Sequence, residues 1–278
     1  MIQNFNLGIS PCPNDTFIFY ALINNKIDTK GFKFNVVFKD VEQLNYMALE
    51  GELDICKLSY HAFAKASKQY QLLKSGGAFG IKNGPMIVSK SKIYPDEIPY
   101  IKIAVPGLNT TAMMLLQLTY PDIKEPEIYV FNEIEDAVLS NQCDAGLLIH
   151  ESRFTYQNKG LVKVLDLGEL WYKNHHLPVP LGGISIKREI DSSIKLLINN
   201  LIKKSIDYAS KNTEEAIRFA KQYASNMDTN IMLKHIDLYV NEFSLDVSNK
   251  GKEAVLFLFE SAFASNLISE PLQPLFIE

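Results

Sequence analysis

The sequence predicts an α/β protein of two lobes that close around a cleft. Three observations carry that expectation. Strands alternate with helices through the first half, two similar strand–turn–helix junctions fall in successive units, and the last third turns almost wholly helical. Alternation of the two periodicities predicts βαβ units and parallel sheets. At 278 residues the chain is long for one small core and about right for two lobes of ordinary size.

Residues 5–10 read as a short apolar strand. Pro11, Cys12 and Pro13 block a helix there, and Asn14 or Asp15 is the expected N-cap of a helix over 16–23. Residues 32–38 alternate like a strand, and Asp40 caps a helix whose Val41, Leu44, Met47 and Ala48 share one face. Gly51 ends that helix, and a strand over 53–58 leads into Ser59 and a short helix that holds His61. The glycine-rich run 76–80 matches no phosphate-binding pattern and reads as a backbone crossing or hinge before a strand over 85–89.

The second unit follows the turn-rich stretch 91–99. It comprises a strand over 101–105, a Pro106-Gly107 turn, and a helix over 111–119 capped by Asn109 or Thr110. A strand over 128–131, a helix over 134–139 and a strand over 145–149 ending on His150 complete it. Segments 41–59 and 134–150 echo each other: helix, polar turn with Asp54 or Asp144, then a short apolar strand with polar residues at its end. A strand over 184–187 and helices over 190–210, 213–224, 231–240 and 250–264 follow. The expected lobes are 1–92 with 186–278, and 93–185.

The net charge is −4 with both signs mixed along the chain, which argues against a nucleic-acid partner. An anionic small ligand remains compatible, because helix ends and single lysines can hold one. The first residues carry no basic region, apolar core or cleavage site, and no apolar run is long enough to span a membrane. Cys12, Cys56 and Cys143 are odd in number and far apart, which suggests neither disulfides nor zinc. The expected setting is the cytoplasm, without a metal.

Two helix N-termini are the clearest chemical feature. Ser10, Asn14, Asp15 and Thr16 surround the first, and Thr110, Thr111 and Ala112 open the second. Unpaired N–H groups and the helix dipole make each a place for a carboxylate, although either alone is accounted for by ordinary capping. Lys57, Leu58 and Ser59 add a cation and a hydroxyl at a strand end. Lys57 either snorkels to solvent or faces an anion in the cleft. His150 ends an apolar strand where such folds place ligands, and its ordinary pKa suits proton abstraction. Position alone favours a structural histidine bonded to a loop carbonyl. Cys12 has no histidine near it in sequence and reads as a turn residue, and His175-His176 read as part of a turn.

Seven segments carry a family resemblance: SPCPNDTFIFYAL, DVEQLNYMALEG, KLSYHAFA, GGAFGIKNGPMIVS, VPGLNTTA, IHESRFTY and FSLDV, spread from Ser10 to Val247. On these the chain resembles the 1,4-dihydroxy-6-naphthoate synthases of the futalosine route to menaquinone. The resemblance implies a type II periplasmic-binding-protein-like fold, two lobes with central mixed sheets around a cleft, used as an enzyme without metal or organic cofactor. It implies cyclic dehypoxanthinylfutalosine as a carboxylate-bearing substrate, and 1,4-dihydroxy-6-naphthoate with dihydroxyacetone as products. It also implies His150 as catalytic base, with Lys57-Leu58-Ser59 and Thr111-Ala112 binding substrate. The rival expectations are a chorismate dehydratase-like lyase and a non-catalytic solute-binding protein.

Overall fold

The structure is a computed structural model that describes residues 3–224 and 227–278; the first two residues of the amino-terminal stretch lie outside it. Strand β1 (Gln3–Ile9) runs parallel to β2 (Phe32–Phe38) on one side and β3 (Ile55–Ser59) on the other. Helices α1 (Pro13–Ile23) and α2 (Val41–Leu49) make the two crossovers. After α3 (Tyr60–Ala66), two short strands, β4 (Tyr70–Leu72) and β5 (Ala78–Gly80), complete the outgoing chain in this sheet.

The chain then crosses into a second sheet. Its strands are β6 (Met86–Ser89), β7 (Ile103–Val105), β8 (Glu127–Ile128), β9 (Ala145–Leu148) and β10 (Val162–Asp166). Helices α4 (Thr111–Thr119) and α5 (Ile134–Leu139) connect β7, β8 and β9. Here β7 is flanked by parallel β8 and β9, as β1 is by β2 and β3. The echo between segments 41–59 and 134–150 is therefore the repeated α2–β3 and α5–β9 unit. Helix α6 (Leu167–His175) leads back, and β11 (Val179–Lys187) inserts antiparallel between β3 and β4.

Both sheets are mixed, where the βαβ alternation alone predicts parallel ones. The departure has a simple cause: each sheet takes in one strand that runs against all the others, the returning β11 in the first and the entering β6 in the second. The order is β2-β1-β3-β11-β4 with β5 on β11, and β10-β6-β9-β7-β8. Strand β6 thus starts the second sheet before residue 93, and all of β11 belongs to the first sheet.

The two crossings touch. Leu167 N–H donates to the Pro85 carbonyl at 2.9 Å, and Arg153 donates to the Gly84 carbonyl at 2.7 Å while pairing with Asp166 at 3.0 Å. A Cβ on Gly84 would lie 2.9 Å from the Gly168 backbone, and one on Gly168 would overlap Asn83. The hinge-like reading of 76–80 is realised as β5 running into this crossing.

The C-terminal helices brace both lobes. They are α7 (Ser192–Lys211), α8 (Thr213–Ala220), α9 (Thr229–Tyr239), α10 (Glu242–Leu245) and α11 (Ser248–Ala264). Asp191 accepts from Ser193 N–H, so α7 starts at Ser192 rather than Ile190, and α8 stops at Ala220 rather than Ala224. Helices α1 and α7 cover one face of the first sheet through Ile9, Ile18, Ile198 and Ile202. A second apolar cluster joins the lobes, from Leu44 and Phe63 through Met114 to Ile103 and Leu147, with Phe259 of α11 against it. Each such side chain contributes about 1.5–3 kcal/mol on burial. No described helix is long and apolar enough to cross a membrane.

Candidate active site

Helix α1 begins one turn earlier than its polar residues suggest. Pro13 occupies the first helical position, where its missing N–H costs nothing, and Cys12 becomes the N-cap. Asn14 and Asp15 therefore lie inside the first turn instead of capping it. Thr16 turns away from the cleft: it is fully buried, and its hydroxyl donates to the Cys12 and Pro13 carbonyls.

A cavity of about 100 Å³ lies between the lobes. Ser10, Asn14 and Asp15 line it from the β1–α1 junction, and Lys57, Leu58 and Ser59 from the end of β3. Thr110, Thr111 and Ala112 line it from the start of α4, and His150 from just beyond β9. Ten of the eleven residues singled out in the sequence thus line this cavity, and Thr16 alone among them does not.

Lys57 does not snorkel to solvent but lies in the cavity wall, where the anion it meets is the protein's own Asp15. It is 6 % exposed, pairs with Asp15 at 3.1 Å and donates to the Gly76 carbonyl. The other Asp15 oxygen accepts from the Ser10 hydroxyl at 2.7 Å and from Ser10 N–H at 3.2 Å. The cation is thus neutralised inside the wall, and attraction for an anion falls to the helix ends. At α4, Thr110 caps Met113 N–H, while Thr111 and Ala112 N–H have no protein acceptor among the described residues. The Thr111 hydroxyl is spent on structure, accepting from Tyr60 N–H and donating to the Leu181 carbonyl. The Ser59 hydroxyl accepts from Asn45, and its own proton has no acceptor among the described residues.

Glu42 ties the lobes together beside the cavity. From α2 it accepts from the backbone and side-chain N–H groups of Asn109 at 3.0 Å each, and from Asn45 at 2.9 Å. Gly107, at φ +141°, makes room for that carboxylate, where any Cβ would collide with it. His61 packs behind, its Nδ1–H donating to the Thr110 carbonyl; burial lowers its pKa to about 4 and keeps it neutral.

His150 opens a short 3₁₀ turn, His150–Phe154, with left-handed backbone at φ +58°. Such a conformation costs a non-glycine residue about 1–3 kcal/mol and is found mostly where surrounding structure enforces it. The edge of Phe131 packs on the ring at 4.9 Å. The His150 Nδ1 lies 3.5 Å from Cys12 Sγ, and Nε2 has no hydrogen-bond partner among the described residues. Cys12, read from sequence as a lone turn residue, is therefore the histidine's neighbour in space. Burial, aided by the charge of Glu151, raises the Cys12 pKa and keeps it a thiol. Burial lowers the His150 pKa, against the opposing pull of Glu151 and Asp15.

Among the lining residues that escaped the sequence reading are His235 and Tyr239 from α9, and the Leu181-Gly182 step of β11. The available signal was a histidine and a tyrosine four apart on the same face as Met232 and Ile236, all buried. His175 sits in the last turn of α6 against Trp171, with His176 closing the helix, so the expected turn starts later.

Two α/β lobes, crossed twice by the chain and enclosing a polar-rimmed cavity, define a protein of the periplasmic-binding-protein fold. The alkanesulfonate-binding protein SsuA of Xanthomonas axonopodis pv. citri, bound to MOPS, superposes with a TM-score of 0.73 at 13 % identity over 97 % of this chain and 95 % of its own. The chain belongs to the menaquinone biosynthesis family, whose model matches residues 5–264. It is 39 % identical to the 1,4-dihydroxy-6-naphthoate synthase of Thermus thermophilus, over 99 % of this chain and all of that one. Protein AF1704 of Archaeoglobus fulgidus matches with a TM-score of 0.90 and 35 % identity, over 95 % of this chain and 98 % of that one.

Proposed function

We propose that the chain is a cytoplasmic lyase that converts cyclic dehypoxanthinylfutalosine to 1,4-dihydroxy-6-naphthoate and dihydroxyacetone, with His150 as general base and without metal or organic cofactor. The observation that carries this reading is the unpartnered Nε2 of His150 at a cavity rimmed by free helix N–H groups. Thr111 N–H, Ala112 N–H and the Ser59 hydroxyl hold the substrate carboxylate. Nε2 removes a proton from the sugar-derived part, the bond to the three-carbon unit breaks in a retro-aldol-like step, and the ring becomes aromatic. Enclosure between the lobes keeps the reacting groups aligned and water out.

The test is to incubate purified protein with cyclic dehypoxanthinylfutalosine and, separately, with chorismate. Formation of 1,4-dihydroxy-6-naphthoate from the first supports the reading. Consumption of chorismate instead would identify a dehydratase, and tight binding with no turnover of either would identify a solute-binding protein.

The base must be neutral to act. Because burial lowers its pKa, His150 stays in the base form to below pH 6.5. The acidic limb of kcat/KM against pH is therefore expected to have its midpoint below 6.5, the ordinary histidine value. A midpoint above 6.5 would contradict a desolvated histidine as the base.

A further inference from the structure

A second imidazole stands beside the first. His235 of α9 is fully buried, lines the same cavity, and its ring lies nearly parallel to that of His150 at 6.1 Å, with planes 19° apart. Its protonation state follows from its neighbours. Asn14 Nδ2 donates to Asp15 Oδ1 at 2.9 Å, on a carboxylate that also pairs with Lys57. Turning the Asn14 amide over would set its oxygen against that carboxylate, so Oδ1 must face His235. Oδ1 lies 3.0 Å from His235 Nε2 and can only accept, so Nε2 carries the proton. Nδ1 is then a bare lone pair, and it is buried with no partner among the described residues.

A buried acceptor left unpaired calls for an explanation. Burial, with the repulsion of Arg153 and of His150 whenever it is protonated, pulls the His235 pKa well below the histidine range, so protonation does not relieve it. From these contacts we infer that His235 is a substrate-binding residue, whose Nδ1 accepts a hydrogen bond from a hydroxyl of the bound substrate or product. Lys57, Asp15 and Asn14 act through it as positioning residues that hold the tautomer. A hydroxyl-bearing ligand supplies the donor that no described protein group offers. This inference rests on the proposed function for the ligand used to test it.

The experiment is a titration of the full chain, labelled with ¹⁵N-histidine, with 1,4-dihydroxy-6-naphthoate, while calorimetry follows binding independently. The expected result is one bare Nδ1 signal in the free protein that moves upfield at saturation. His235→Gln keeps an Nε2 donor for Asn14 but lacks the Nδ1 lone pair. It is expected to lose that signal and to bind about tenfold more weakly at unchanged melting temperature. If His235→Gln does not fold, the signal is assigned by elimination against single variants of the other four histidines. Saturable binding with the His235 signal unmoved, or already upfield in the free protein, overturns this inference alone. No binding overturns it together with the proposed function.

Discussion

His150→Ala is expected to lower kcat by about 10²–10⁴-fold, the usual contribution of a general base. Binding of 1,4-dihydroxy-6-naphthoate should change much less, because the carboxylate contacts assigned to Ser59 and to the N–H groups of Thr111 and Ala112 survive. The control needs care, since His150 sits at φ +58° and alanine tolerates that region poorly. His150→Asn is the better companion, because asparagine adopts left-handed backbone readily and cannot serve as the base. Both variants should lose turnover, while the asparagine variant should melt closer to the parent. Single-turnover rates and thermal melts together separate the effects. Either variant turning over within a few-fold of the parent would remove His150 from the mechanism.

Lys57→Met should have the largest effect on stability. It leaves the Asp15 carboxylate, 1 % exposed, without its cation. Removing one partner of a buried pair typically costs about 3–5 kcal/mol, because the remaining charge stays desolvated. Ser10 and Asn14 still donate to that carboxylate, which places the expectation toward the lower end of the range. Lys57→Met with Asp15→Asn should recover most of the loss, since no buried charge then remains. Urea melts of the parent, both single variants and the double variant close the cycle. A single variant that loses under about 1 kcal/mol would show that the pair is not buried in solution.

What could be read from sequence was whatever acts over a few residues. Asp40 caps α2 as read, and Thr110, one of the two residues read for the place, caps α4, because a cap bonds within its own first turn. The start of α1 was misread for an equally local reason, the preference of Pro13 for the first helical position over the capping ability of Asn14 and Asp15. Strands β4 and β5 went unread because three residues carry no periodicity. Long-range pairings left no trace at all. Cys12 meets His150 across 138 residues and His235 meets Asn14 across 221, so nothing in either neighbourhood announces the other. The cavity rim was legible as two helix starts; its floor on α9 was not.

The crossing at Gly84 and Gly168 has a consequence for how the molecule tolerates change. A methyl group at Gly31 or Gly160 would meet nothing within 4 Å and would only oppose a left-handed backbone. At Gly84 or Gly168 the same group would act as a wedge, driven between two strands of backbone with no flexible side chain to give way. One added carbon there would pry the lobes apart at their pivot, with every residue of the cavity still in place but no longer opposed.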